Sequence, residues 1–161
     1  MLNYRSATPA DLPSLCALGE EVNSIHHAAW PEVFAPAGTL DRDRNHWAQS
    51  VGAKEAETIV ADENGTLVGF VTISVITESN SLFQPVRYTK VGSVCVTASR
   101  RGKGIGRKLM AMAEQGALQH SAAEVRLTVW AFNEVALRMY EELGYEMRSH
   151  TLGKRLRAGA A

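Results

Sequence analysis

The spacing of apolar residues changes several times along the chain, and each change marks an element. Residues 2–7 (LNYRSA) read as a short first strand. Thr8 followed by Pro9 has the form of a helix N-cap with proline in the first turn. Asp11 adds negative charge at the end where a helix dipole favours it. Leu12, Leu15, Cys16, Leu18 and Val22 then recur at helical spacing, which predicts a helix to about residue 27. Pro31, Pro36 and Gly38 make residues 28–38 a loop, yet one rich in apolar surface through Trp30, Val33 and Phe34. A second helix is expected from residue 40 or 41 to residue 51.

Residues 58–61 and 67–76 read as strands on either side of Asp62-Glu63-Asn64-Gly65, and Asn-Gly is a strong hairpin signal. Residues 77–85 (TESNSLFQP) form a loop, and residues 88–97 are strand-like. From Gly104 a helical pattern takes over, with Ile105, Leu109, Met110 and Ala113 on one face. A fifth strand is expected at 125–130, a helix at 133–143 stopped by Gly144, and a last strand from Tyr145 onward. The order is antiparallel hairpins first, then a strand-helix-strand-helix unit whose two strands should lie side by side and parallel. No repeat or linker interrupts the chain, so residues 1–161 are expected to form a single domain.

Composition narrows the partners. The hydrophobic fraction is 45% and the charged fraction 21%, as in ordinary soluble domains. Seventeen basic residues balance 17 acidic ones, which argues against general electrostatic binding of nucleic acid. A local basic cluster remains at Arg100, Arg101, Lys103, Arg107 and Lys108. Cys16 and Cys95 stand alone, without the spacing of a metal site or a disulfide framework. His26-His27 has no third ligand nearby at fitting spacing, so no metal is expected. No run approaches the ~20 apolar residues of a membrane span, and the N-terminal residues lack a signal-peptide core. A cytoplasmic protein away from membranes is the expectation.

The stretch from Val94 to Leu109 carries the most chemistry: a strand, a short turn, then a helix opening on alternating glycines. Glycines let a phosphate approach the backbone, and the first amides of a helix lack partners within it. The dipole and the neighbouring cations Arg101, Lys103 and Arg107 favour an anion there. The ligand is not the one a Walker turn holds, because Gly106 is followed by Arg107-Lys108 and not by Lys-Ser/Thr. The dinucleotide fingerprint also fails, since its third glycine would fall on Arg107. What remains is Arg101-x-x-Gly104-x-Gly106. Further on stands Asn133-x-x-Ala136-x-x-x-Tyr140-x-x-x-Gly144-Tyr145, with Asn133, Ala136 and Tyr140 on one helix face.

These two motifs, in this order, resemble the GNAT family, the Gcn5-related N-acetyltransferases. The lead-in from Tyr4 to Pro13 is also similar to the family's. The resemblance implies an α/β fold: a mixed, mostly antiparallel sheet of six to seven strands with about four helices, and a parallel strand pair splayed at the cofactor slot. It implies acetyl transfer from acetyl-CoA to a primary amine. Backbone amides from Arg101, Gly102, Lys103, Gly104, Ile105 and Gly106 would hold the pyrophosphate, with Arg107 near the helix start. Main-chain groups of Val94 and Val96 would pair with the pantetheine arm, and Asn133 would contact it. An amide near Val96 would polarise the thioester carbonyl, and Tyr140 would protonate the departing thiolate. Dimers are frequent in the family, so a homodimer is a further expectation.

The general base is left open. Histone-type members carry a glutamate eleven positions before the first motif residue, and here that position is Lys90. The alternatives are Glu78, Glu20, Glu21, His26, His27 or a water relay. His46 and His120 read as surface residues. Trp30 and Phe34 are read as wall or lid of the acceptor site, and Leu82 with Phe83 as its opposite side or a subunit interface. Glu32, Asp41 and Asp43 are few carboxylates for a polyamine site, so a small amine, amino acid or antibiotic-like acceptor is favoured over a protein. A non-catalytic acyl-CoA sensor or scaffold of the same fold is the competing reading.

Overall fold

The computed structural model of the protein describes residues 1–36, 38 and 40–156, with the side chains of residues 40–42 left aside. Its elements in chain order are β1 (Leu2–Ser6), α1 (Leu12–Ala29), α2 (Leu40–Ala48), β2 (Ala56–Glu63), β3 (Thr66–Glu78), β4 (Val86–Val96), α3 (Ile105–Gln119), β5 (Glu124–Leu127) and α4 (Glu134–Glu142). Five strands form one sheet in the order β1-β2-β3-β4-β5. The first four are antiparallel neighbours, and β4 and β5 run parallel.

Helices cover both faces of the sheet, which is why β2 and β3 read as near-continuous apolar runs. On one face Ile59, Val71, Ile73 and Val91 pack with Leu109 and Met110 of α3 and Tyr140 of α4. On the other, Val60, Phe70 and Cys95 pack with Leu15 and Leu18 of α1 and Trp47 of α2. Val91 and Cys95 are four residues apart, so a regular strand would put them on the same face. They lie on opposite faces because the register with β3 slips between Thr72 and Ile73, leaving Gly92 as an extra residue. The Thr72 hydroxyl accepts the Ser93 amide at 3.0 Å and holds this bulge.

The first helix starts differently from the sequence expectation. Residues Pro9–Asp11 form a 3-10 turn ahead of α1. The Thr8 amide and hydroxyl both donate to one Asp11 carboxylate oxygen, at 2.7 and 3.0 Å. Asp11, not Thr8, therefore supplies the capping acceptor. Arg5 clamps Asp11 with two parallel hydrogen bonds of 2.8 and 2.9 Å, and reaches Asp62 of β2 at 3.0 Å.

The expected sheet of six to seven strands is corrected to five among the described residues. The missing strand is the one predicted from Tyr145. Residues 146–156 are exposed throughout and mostly polar or charged, so the segment has no apolar face to bury against a neighbour. Arg148 ties it to Glu124 at 2.6 Å. The fifth strand is also shorter than expected, ending at Leu127, and residues 128–130 continue as open chain.

Candidate active site

The parallel pairing of β4 with β5 runs from Tyr88–Glu124 to Val91–Leu127 and stops there. Beyond Val91 the two strands part, and the bulge at Gly92 sits at the point of separation. The Thr97 amide donates to Val68 of β3 at 2.9 Å. Backbone groups alternate along a strand, so the amides of Val94 and Val96 face the side that β5 has left. That edge offers main-chain hydrogen bonds to an extended ligand.

Past the end of β4 the chain makes a 3-10 turn (Ala98–Arg100) and then the glycine turn into α3. Gly102 and Gly104 take φ values of +73° and +79°, the left-handed region that L side chains avoid. The Lys108 amide is the one that returns to Gly104, at 3.0 Å, so the amides ahead of it have no partner within the helix. Most of the nearby cations point elsewhere. Arg100 pairs with Glu63 at 2.7 Å, and Arg107 pairs with Glu142 of α4. The Arg101 Nε donates to the Val96 carbonyl at 2.9 Å. No ion pair among the described residues holds Lys103. The turn is thus an anion site made chiefly of backbone.

The gap between the strands opens into a cleft of about 340 Å³. Its floor is Val91 to Val94 of β4 and the chain from Leu127 to Trp130, and α4 closes one side with Asn133, Ala136 and Tyr140. The Asn133 side chain caps α4 by accepting the Ala136 amide at 3.2 Å. Tyr140 is 9% exposed, and burial raises its phenol above the usual tyrosine range. It therefore stays protonated, a neutral donor, throughout the neutral range. Tyr145 packs edge-on against it at 5.9 Å and donates to Glu114 at 3.0 Å.

α1 and α2 close the other side, with Asn23, His26, Asp43 and His46 among the lining residues. The His26 Nδ1 lies 2.8 Å from the Val22 carbonyl. A carbonyl only accepts, so in the neutral ring Nδ1 carries the proton and Nε2 keeps the lone pair. Phe34, in the loop after α1, also lines the cleft, and its ring meets those of His26 and Trp130 at 4.9 and 4.8 Å. Trp30 stands edge-on to Trp130 at 5.6 Å.

Of the candidate bases, His26 alone lines this cleft. Glu78 lies at the far end of β3, 3.5 Å from Arg126. Glu21 accepts the Thr97 hydroxyl at 2.9 Å and the Ala98 amide at 3.2 Å, joining α1 to the turn. Glu20 receives the Gly38 amide at 3.3 Å, and the His27 ring is 2.7 Å from the Phe34 carbonyl. Lys90 is exposed, opposite Arg126. Leu82 and Phe83 are 86% and 65% exposed at the tip between β3 and β4, and do not line the cleft. The Asp41 side chain is outside the described residues. His46 and Asp43 went unnoticed in the sequence, although their spacing of three on a helix puts them on one face. Gly92 gave no signal, because a bulge is a matter of register between strands. Among the described residues no group of acidic, histidine or cysteine side chains could hold a metal, and no helix is long and apolar enough to cross a membrane.

The acetyltransferase (GNAT) family model matches residues 20–145. The "uncharacterized N-acetyltransferase YhfO" of Bacillus subtilis (strain 168) is 27% identical over 145 residues, covering 90% of either chain. A tetramutant of the BH1408 protein from Bacillus halodurans superposes with a TM-score of 0.86 at 24% identity, over 96% of this chain and 99% of that one. AAC(6')-Iy, solved with the bisubstrate analogue CoA-S-monomethyl-acetylneamine, gives a TM-score of 0.73 at 16% identity, over 98% and 99% of the two chains. The likeness to these two structures is one of fold.

Proposed function

The chain belongs to the acetyltransferase (GNAT) family, and from that premise we propose that it moves the acetyl group of acetyl-CoA onto a primary amine held in the cleft beside Tyr140. One observation carries the reading: the vacated β4 edge joins an amide-lined turn at one end to a cleft holding a buried phenol at the other. An anionic head, an extended arm and a reactive tip in sequence fit that layout. Acetyl-CoA supplies the activated thioester.

The residues have these roles. Amides from Gly102 to Gly106 hold the diphosphate, with the side chain of Lys103 adding charge. Arg107 serves at the same end when it is released from Glu142. The main chain at Val94 and Val96 fixes the arm by strand addition, and Asn133 keeps its amide donors for it while capping α4. An amide at the bulge or near Val96 polarises the acyl oxygen. His26 accepts the proton of the amine through Nε2, and the Tyr140 hydroxyl donates to the departing sulfur.

Calorimetric titration with acetyl-CoA, followed by thiol release in the presence of amines, tests the proposal. Micromolar binding is expected. Tyr140→Phe should lower turnover by about 10²–10⁴-fold while keeping acetyl-CoA affinity. Absence of binding at millimolar acetyl-CoA overturns the reading. Binding without turnover on any amine favours an acyl-CoA sensor.

A further inference from the structure

Resting on that reading, we infer that the acceptor is a primary monoamine carried on an aryl or similarly flat apolar body, not a polycation. Three observations lead to it. The first is the wall. Phe34 and Trp130 line the cleft in edge-to-face contact at 4.8 Å, and Phe132 braces His26 from behind at 5.3 Å. Exposure rises from 9% at Tyr140 to 37% at Trp130 and 43% at Trp30, so the aromatic groups stand at the open end and the phenol at the closed one. A flat apolar body at the mouth would meet ring faces and edges there, with its amine directed inward.

The second observation is charge. Among the described lining residues Asp43 is the one carboxylate, accompanied by the imidazoles of His26 and His46. At the rim, Glu32 is paired with Arg155 at 3.5 Å. A polyamine or an aminosugar brings several ammonium groups, each needing an opposite charge when taken out of water. The wall offers one such partner, which suits a single ammonium. The third observation is size. About 340 Å³ is near the lower end of small-ligand pockets, and the acetylated end of the arm shares that space.

The reaction with such an acceptor balances simply. The amine nitrogen forms a bond to the acyl carbon as the carbon–sulfur bond breaks. The nitrogen gives a proton to His26 Nε2, and the sulfur takes one from Tyr140. The imidazolium and phenolate then return to their starting states by proton exchange with water. No further reagent is needed.

The test compares phenethylamine with spermidine and kanamycin. Tryptophan fluorescence of the protein alone reports occupancy of the mouth, and thiol release with acetyl-CoA reports transfer. Phenethylamine should quench the fluorescence saturably, and its kcat/KM should exceed those of the two polycations by about tenfold or more. Phe34→Ala should raise the KM for phenethylamine about tenfold without changing acetyl-CoA affinity by calorimetry. A higher kcat/KM for spermidine or kanamycin overturns the inference. So does phenethylamine that neither quenches nor reacts while acetyl-CoA binds. Failure of acetyl-CoA to bind strikes the catalytic reading instead, and the fluorescence titration without it still decides whether the mouth selects flat monoamines.

Discussion

The two ends of the cleft are built from different materials. The anion-binding end uses backbone: amides of a glycine turn and one edge of β4, all within residues 92–107. The acceptor end uses side chains from three separated places: α1 with its following loop, α2, and residues 127–133. A backbone site needs particular torsion angles, and torsion demands leave a written trace as glycine at fixed spacing. A side-chain wall needs only rings and charges that meet in space, and many sequences satisfy that. The first end should thus be brittle and the second adjustable.

The largest expected effect is at the brittle end. Gly104 has φ +79°, and a β-branched residue there would drag the neighbouring amides out of line. Gly104→Val should weaken acetyl-CoA at least ~100-fold, as expected for the loss of two charge-assisted hydrogen bonds. Calorimetry checks this, and an affinity within threefold of the parent would refute a backbone-made site. At the other end, His26→Gln should lower kcat/KM for the acceptor by about 100-fold and leave acetyl-CoA binding intact. Partial rescue by free imidazole would separate a lost base from a lost shape.

Glu21 links the two ends, since it sits on the acceptor helix and holds Thr97 and Ala98 ahead of the turn. Glu21→Gln should raise the KM for acetyl-CoA by about fivefold, because charged hydrogen bonds become neutral ones. An unchanged KM for acetyl-CoA would mean the ends are mechanically independent.

Two smaller effects concern the frame that both ends share. Arg5 clamps Asp11 and holds its carboxyl far below the usual carboxylate range, with the Thr8 amide and hydroxyl helping. That stabilisation is complete above about pH 4, where the unfolded carboxyl is ionised, and fades as pH falls toward the depressed native value. Asp11→Asn should cost about 1–2 kcal/mol at neutral pH and flatten the loss of stability in acid. Denaturant melts at pH 3 and pH 7 measure both. The smallest signal is chemical. Cys16 and Cys95 are buried, and burial with the nearby Glu21 pushes the Cys95 thiol up to about 12. Native protein should leave a thiol reagent unconsumed at pH 8 over the time in which unfolded protein consumes two equivalents.

Much of this contrast was readable beforehand. The hairpin at Asn64-Gly65, the helix opening at Gly104 and the stop at Gly144 are local demands, and each was found where the sequence indicated. The clustering of Asn133, Ala136 and Tyr140 on one side of the cleft followed from helical spacing. What stayed hidden depends on pairing across the chain. The bulge at Gly92 exists only relative to β3, and the contact of Trp130 with Phe34 joins segments with no sequence signal in common. The absent final strand is the same lesson reversed. Residues from Tyr145 onward have strand-like composition at the start, but a strand is made by its neighbour, and none pairs with them here.

One contact behind the acceptor wall has an evolutionary meaning. Gly19 of α1 lies flat against the indole of Trp47, and a single added carbon would intrude into that ring. The spacing of α1 and α2, and hence the breadth of the cleft they border, is gauged by one missing methyl group. A lineage, or an engineer, could dial acceptor preference at this position by small steps, while the part that recognises the shared donor stays untouched.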